Sequence, residues 1–175
     1  MDTYVLVHGA WHDGDLLKDV ADIIRGEGHT VYTPTLMGNK KGDSKTVGLS
    51  EVIDSLTSFI QEKKIRSCVL VGHSYGGMVI TGAFDKLGKD YIKRLVYYNA
   101  FVPNPGESLN DMVPPNFVNL FDSIAKDDGS VMLPFPIWRE AFINDASLDL
   151  AESTYEKLNP HPYKTFTDSI ELSLS

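Results

Sequence analysis

The apolar positions fall into short unbroken runs separated by amphipathic stretches. Tyr4-Val5-Leu6-Val7, Thr30-Val31-Tyr32-Thr33, Cys68-Val69-Leu70-Val71 and Ile92 to Tyr98 read as strands. The first and third are continuously apolar, the pattern of strands buried on both faces of a parallel sheet. Asp13 or Asp15 is placed to cap a helix running to about Glu27, with Leu16, Leu17, Val20, Ile23 and Ile24 on one face. Gly26 and Gly28 stop it, and Pro34 closes the second strand. Residues 35–48 are polar, glycine-rich and aperiodic, which predicts a loop. Ser50 and Glu51 start a second helix with Val52, Ile53, Leu56, Phe59 and Ile60 facing inward. A third helix runs from about Tyr75 to Leu87 and ends near Gly88. Strands alternating with helices imply right-handed βαβ units and an α/β fold with a parallel sheet.

After Ala100 the alternation stops. Residues 101–165 carry eight of the nine prolines, and helical pieces are predicted at 115–125, 136–144 and 147–158. The expected organisation is therefore a core over residues 1–100, a mainly helical cap inserted over 101–165, and a return toward the core over 166–175.

Composition narrows the class. The chain has 175 residues, 42 % of them hydrophobic, enough for one domain with its own core. Its net charge is −8 and its 16 basic residues are scattered, with Lys40-Lys41 and Lys63-Lys64-Ile65-Arg66 the densest groups. Such a surface lacks the basic stripe that nucleic acid requires. No apolar run reaches membrane-span length, and Met1-Asp2-Thr3 lacks the features of a signal peptide. The single cysteine, Cys68, cannot form an internal disulfide and reads as a buried small hydrophobe. A cytoplasmic location is expected.

The candidate chemistry lies in Gly72-His73-Ser74-Tyr75-Gly76, a G-x-S-x-G pattern between a buried strand and a helix. A turn this sharp strains the serine backbone and leaves no room for flanking side chains, so it calls for glycine. The hydroxyl then stands clear of the sheet at a helix N-terminus, which favours negative charge. Gly77 and Gly82 fit close helix packing. His8-Gly9-Ala10-Trp11 follows the first strand and can aim a backbone N–H at the same point. The N–H groups of Ala10 and Tyr75 would then stabilise an oxyanion. No phosphate-loop pattern and no metal-ligand spacing is present, so no cofactor is expected.

YVLVHGAWHDG, VLVGHSYGGMV, RLVYYNAFVPNPGESL and NPHPYKTFTDSIEL together resemble the α/β hydrolases. The resemblance is to the branch holding plant methyl-ester esterases, hydroxynitrile lyases and bacterial esterases. It implies four parallel strands in the order 2-1-3-4, Ser74 as nucleophile, and Ala10 and Tyr75 as the oxyanion hole. It also implies that an aspartate and then a histidine should follow Ser74 in the chain. No residue aligns with either, and the two strands that carry them are not in the sequence. Of the five histidines, His73 points away from Ser74, His8 holds its loop, and His29 is remote. His12 and His161 could approach the pocket. Asn99 reads as structural and Asp168 as solvated. Leu95-Val96-Tyr97-Tyr98 would be an open, apolar sheet edge, which expects neighbours. A missing C-terminal piece or a second polypeptide is therefore expected to complete the sheet and supply acid and base.

The expected function is a serine carboxylic-ester hydrolase acting on a small or medium hydrophobic ester. His12, Trp11, Phe101 and Trp138 are the candidate pocket residues. Two other readings stay open: a non-catalytic, small-molecule-binding remnant of the fold, and a hydroxynitrile-lyase-like enzyme using Lys126 or Lys164.

Overall fold

A computed structural model describes residues 1–173. Strands β1 (Thr3–Val7), β2 (Thr30–Tyr32), β3 (Cys68–Ser74) and β4 (Ile92–Ala100) form one parallel sheet in the order β2-β1-β3-β4. The predicted strand order is the observed one. Side chains alternate across the pleat and so divide β1 between two cores. Val5 and Val7 join the larger cluster with Leu70, and Leu6 joins the smaller one with Ala21 and Val31.

The connecting helices are α1 (Lys18–Gly26), α2 (Leu49–Glu62) and α3 (Gly76–Leu87). A short 3-10 turn, Gly14–Leu17, leads into α1, and the Asp13 carboxylate caps it by accepting from the N–H groups of Asp15 and Leu16. Helices α2 and α3 cover the larger core. They approach so closely that a Cβ on Gly82 would lie 2.4 Å from Ile53 Cδ1. On the opposite face α1 buries Ala21, whereas Val20 and Ile23 are 50 % and 71 % exposed. The inward face predicted for α1 is corrected at those two positions, because no described element covers them.

Beyond β4 the chain forms α4 (Leu109–Met112), α5 (Pro115–Ile124), β5 (Ser130–Val131), α6 (Phe135–Phe142), α7 (Leu148–Tyr155), β6 (His161–Pro162) and α8 (Lys164–Thr167). The three longer helices lie where apolar periodicity puts them. The antiparallel β5–β6 ribbon and the single-turn helices α4 and α8 are too short to show a period. Among the described residues β4 is one of the two outer strands of the sheet, with Lys93, Arg94 and Tyr98 exposed. No helix of the described residues is long and apolar enough to cross a membrane.

Asp168 is not a solvated tail residue. Its Oδ2 accepts from the Leu49 N–H at 3.0 Å, and Glu51 Oε2 accepts from the Gly48 N–H at 2.7 Å. Two carboxylates thus satisfy orphan donors at the start of α2, one of them from the far end of the chain. Asp168→Ala should lower stability by about 1 kcal/mol in urea unfolding, within the usual range for a lost cap.

Candidate active site

Ser74 is the last residue of β3 and has φ 53°, the left-handed region that a non-glycine residue enters at a cost of about 1–3 kcal/mol. Close approach on every side dictates its glycine neighbours. A Cβ on Gly76 would sit 2.9 Å from the carbonyl oxygens of Val7 and His8, and one on Gly77 only 2.0 Å from the Phe101 carbonyl oxygen. The end of β4 bends to meet this turn. Tyr98 pairs with His73 and Ala100 with Ser74, so Asn99 is the extra residue of a bulge, and its own φ is 44°. The bend lets the Phe101 N–H donate to the Ser74 carbonyl at 3.1 Å.

The turn after β1 lies against the same point. A Cβ on Gly9 would be 3.1 Å from Ser74 Cβ. His8 anchors the turn as a neutral imidazole. Its Nε2 accepts from the Leu36 N–H at 3.0 Å, which leaves the proton on Nδ1 to donate to the Gly9 carbonyl at 2.8 Å. Burial pushes the His8 pKa from 6.5 down to about 4. Trp11 follows with φ 63°, its carbonyl accepting from the Asn159 N–H at 2.7 Å and its indole N–H donating to the Val131 carbonyl at 3.0 Å.

The N–H groups of Ala10 and Tyr75 donate to nothing among the described residues. Both residues line a cavity of about 230 Å³ together with Ser74. The rest of its wall is apolar: Trp11, Phe101, Leu109, Val113, Pro114, Phe117, Phe121, Ala141, Phe142 and Phe166. The structure therefore brings Ser74, Ala10, Tyr75, Trp11 and Phe101 to one cavity. It places His12 and Trp138 outside it. His12 donates from Nδ1 to the Ala10 carbonyl at 2.7 Å, which turns its ring toward a groove on the α1 side of the sheet. Trp138 stacks on Phe142 at 5.7 Å and packs beside His12, behind the cavity wall.

None of the hydrogen bonds among the described residues engages the Ser74 hydroxyl. The imidazoles are committed elsewhere. His29 accepts from the Asp2 N–H at 3.1 Å, and His73 faces the α1-side groove beside Tyr98. His161 is fully buried behind Tyr75 and bonded to Asn39 and Thr165. Sequence reasoning passed over Asn39 and Thr165. Asn39 is an isolated buried amide in an aperiodic loop, so no pattern marks it.

A parallel sheet whose central strand ends in a left-handed serine, directly before a helix, defines the α/β-hydrolase class of protein. A family model described as the alpha/beta hydrolase family matches residues 4–169, and the chain belongs to that family. It is 35 % identical over 175 residues to a carbendazim-hydrolyzing esterase of Nocardioides sp. strain SG-4G, covering 89 % of this chain and 72 % of that protein. It is 30 % identical over 125 residues to methylesterase 2 of Arabidopsis thaliana, covering 66 % of this chain and 43 % of that protein. Among solved structures it resembles an extracellular α/β-hydrolase from a Paenibacillus species, described as sharing structural and functional homology with tobacco salicylic acid binding protein 2. The TM-score is 0.95 at 32 % identity, covering 99 % of this chain and 72 % of that one.

The buried neutral state of His8 makes stability pH-dependent. Its folded pKa lies below its unfolded one, so the unfolded chain binds a proton first as pH falls. Stability on this account is flat above pH 6.5 and declines from there toward pH 4. Between pH 7 and pH 5 the His8 contribution should be about 2 kcal/mol, read as a difference in urea unfolding free energy. His8→Gln should flatten that slope by close to one proton.

Proposed function

We propose that the protein is a serine carboxylic-ester hydrolase that turns over a small or medium hydrophobic ester through an acyl-enzyme on Ser74. The carrying observation is the convergence of Ser74 and two unengaged backbone N–H groups, those of Ala10 and Tyr75, on one apolar cavity. In this reading an imidazole takes the Ser74 proton as Oγ attacks the ester carbonyl carbon. The carbonyl oxygen becomes an oxyanion held by the two N–H groups, with the N-terminus of α3 adding a favourable field. The alcohol departs with the proton, and water then releases the acid. The esterase descriptions of the relatives support the reaction class. The uncharged lining of the cavity supports a neutral substrate. The lone buried Cys68 supports a cytoplasmic setting, although the Paenibacillus relative is described as extracellular.

Four of the five imidazoles are hydrogen-bonded elsewhere and the fifth, His73, faces the α1-side groove, so the base and its acid belong, on this proposal, to polypeptide outside this chain. That polypeptide would pair with β4 and complete the sheet. The lyase reading has less support, because Lys126 and Lys164 are exposed and neither lines the cavity.

Fluorophosphonate treatment of protein isolated from its natural source, followed by intact mass and peptide mapping, tests this. One adduct is expected, on the Ser74 peptide, in a species heavier than 19.4 kDa or accompanied by a second polypeptide. Ser74→Ala should remove the adduct. A folded Ser74 protein that stays unlabelled in every form would overturn the hydrolase reading in favour of a binding remnant. Rapid labelling of the isolated 175-residue chain would instead return the base to its own histidines.

A further inference from the structure

His161 is buried completely and makes no contact with the Ser74 hydroxyl, yet it touches both residues that bracket the two free N–H groups. Its ring meets the Tyr75 ring edge-on at 4.7 Å and stacks on Phe166 at 4.8 Å. Asn39 Nδ2 donates to His161 Nδ1 at 3.0 Å, and the Trp11 N–H points at the same nitrogen from 3.5 Å. With Nδ1 accepting, the proton sits on Nε2 and is donated to Thr165 Oγ1 at 2.9 Å, whose own hydroxyl donates to the Pro162 carbonyl at 2.8 Å. The ring is thus neutral and fully partnered. Burial first, and then the cationic forms of His8, Lys45 and His12, hold its pKa well below the usual imidazole range.

The connections run through Trp11 and Tyr75. Trp11 directly follows Ala10 and sits in a left-handed conformation that its neighbours must hold in place. Two residues before His161, the Asn159 N–H grips the Trp11 carbonyl at 2.7 Å. One short stretch, Asn159-Pro160-His161, therefore fastens the turn that carries the Ala10 N–H. The same imidazole backs the side chain whose backbone carries the other N–H.

We infer that His161 is a positioning residue: its neutral ring sets the Ala10–Trp11 turn against Tyr75 so that both N–H groups converge beside Ser74. The inference rests on the ester-hydrolase reading for its catalytic consequence but not for its structural one, and two readouts separate them. The first is amide hydrogen exchange on the 175-residue chain, which needs no catalysis. His161→Phe keeps an aromatic ring and removes the polar contacts at both ring nitrogens. Exchange at Trp11 should accelerate at least about tenfold, and the Ala10 and Tyr75 amide resonances should shift. His161→Gln offers an acceptor and a donor without a titrating group and should restore protection. Thr165→Val, a near-isosteric change that frees Nε2, should give a smaller loss should His161→Phe fail to fold.

The second readout is the rate of fluorophosphonate labelling at Ser74, measured on the form of the protein that labels. His161→Phe should slow it at least about tenfold, in line with a misaimed oxyanion donor. His161→Gln should stay within about threefold of the parent, with an unchanged pH profile. Exchange and labelling both unaltered in His161→Phe would overturn the inference. So would a His161→Gln variant that keeps Trp11 protected and yet loses labelling, since the imidazole would then be acting chemically. If the parent never labels at Ser74, the hydrolase reading falls, and the exchange data still decide whether His161 holds the two turns.

Discussion

At Ser74 the chain passes from strand to helix within one residue, and every other feature of the site is arranged around that reversal. It requires three backbone segments to touch where side chains would ordinarily separate them. Gly76 presses on the carbonyls that end β1, Gly77 on the carbonyl of Phe101 beyond β4, and Gly9 on Ser74 itself. Adding a single methyl at Gly76 or Gly77 would push one segment off another, and at Gly9 it would crowd Ser74. The neighbouring strands share the strain: Asn99 and Trp11 both sit in left-handed conformations beside the reversal. The local backbone energy is unfavourable. The hydrophobic burial of β1, β3, α2 and α3 beneath it supplies the compensation.

Most of the framework could be read in the sequence because it obeys simple periods. The unbroken apolar runs of β1 and β3, the stripe Val52-Ile53-Leu56-Ile60 and the punctuation at Gly88 each have one sensible structural reading. The glycine spacing around Ser74 was legible for the same reason, since close approach leaves a mark in residue type. What escaped was long-range and polar. Asp168 reads as an end-of-chain acid until the start of α2 is seen beside it. The buried link between Asn39 and His161 joins residues 122 positions apart, and neither lies in a periodic segment. His12 reads as a pocket residue from its place just past the Ala10 turn, and Trp138 as one of the cap's aromatics, but neither position says on which side of a turn or wall the ring emerges. The exposed Val20 and Ile23 follow the helical period faithfully but have no described surface to meet.

Polarity at the cavity comes from the main chain rather than from charged side chains. Its wall is aromatic and aliphatic, and the nearby imidazoles of His8 and His161 are held neutral by burial. On the proposed reading, a negative charge forming beside Ser74 would meet the unengaged N–H groups of Ala10 and Tyr75 in a largely apolar space. In such a space fixed dipoles act strongly and need little rearrangement.

The tether between Trp11 and His161 spans 150 residues. At a translation rate of about 5–20 residues per second, the β1 turn leaves the ribosome roughly 8 to 30 seconds before its anchor does. During that interval β1, β3 and β4 can pair, because all the residues they need have been made. Until then the turn carrying Ala10 lacks the contacts from Asn159 and His161 that hold Trp11 in its left-handed conformation. Vectorial synthesis thus makes the strands of the described sheet available before the residues that anchor the Ala10 turn.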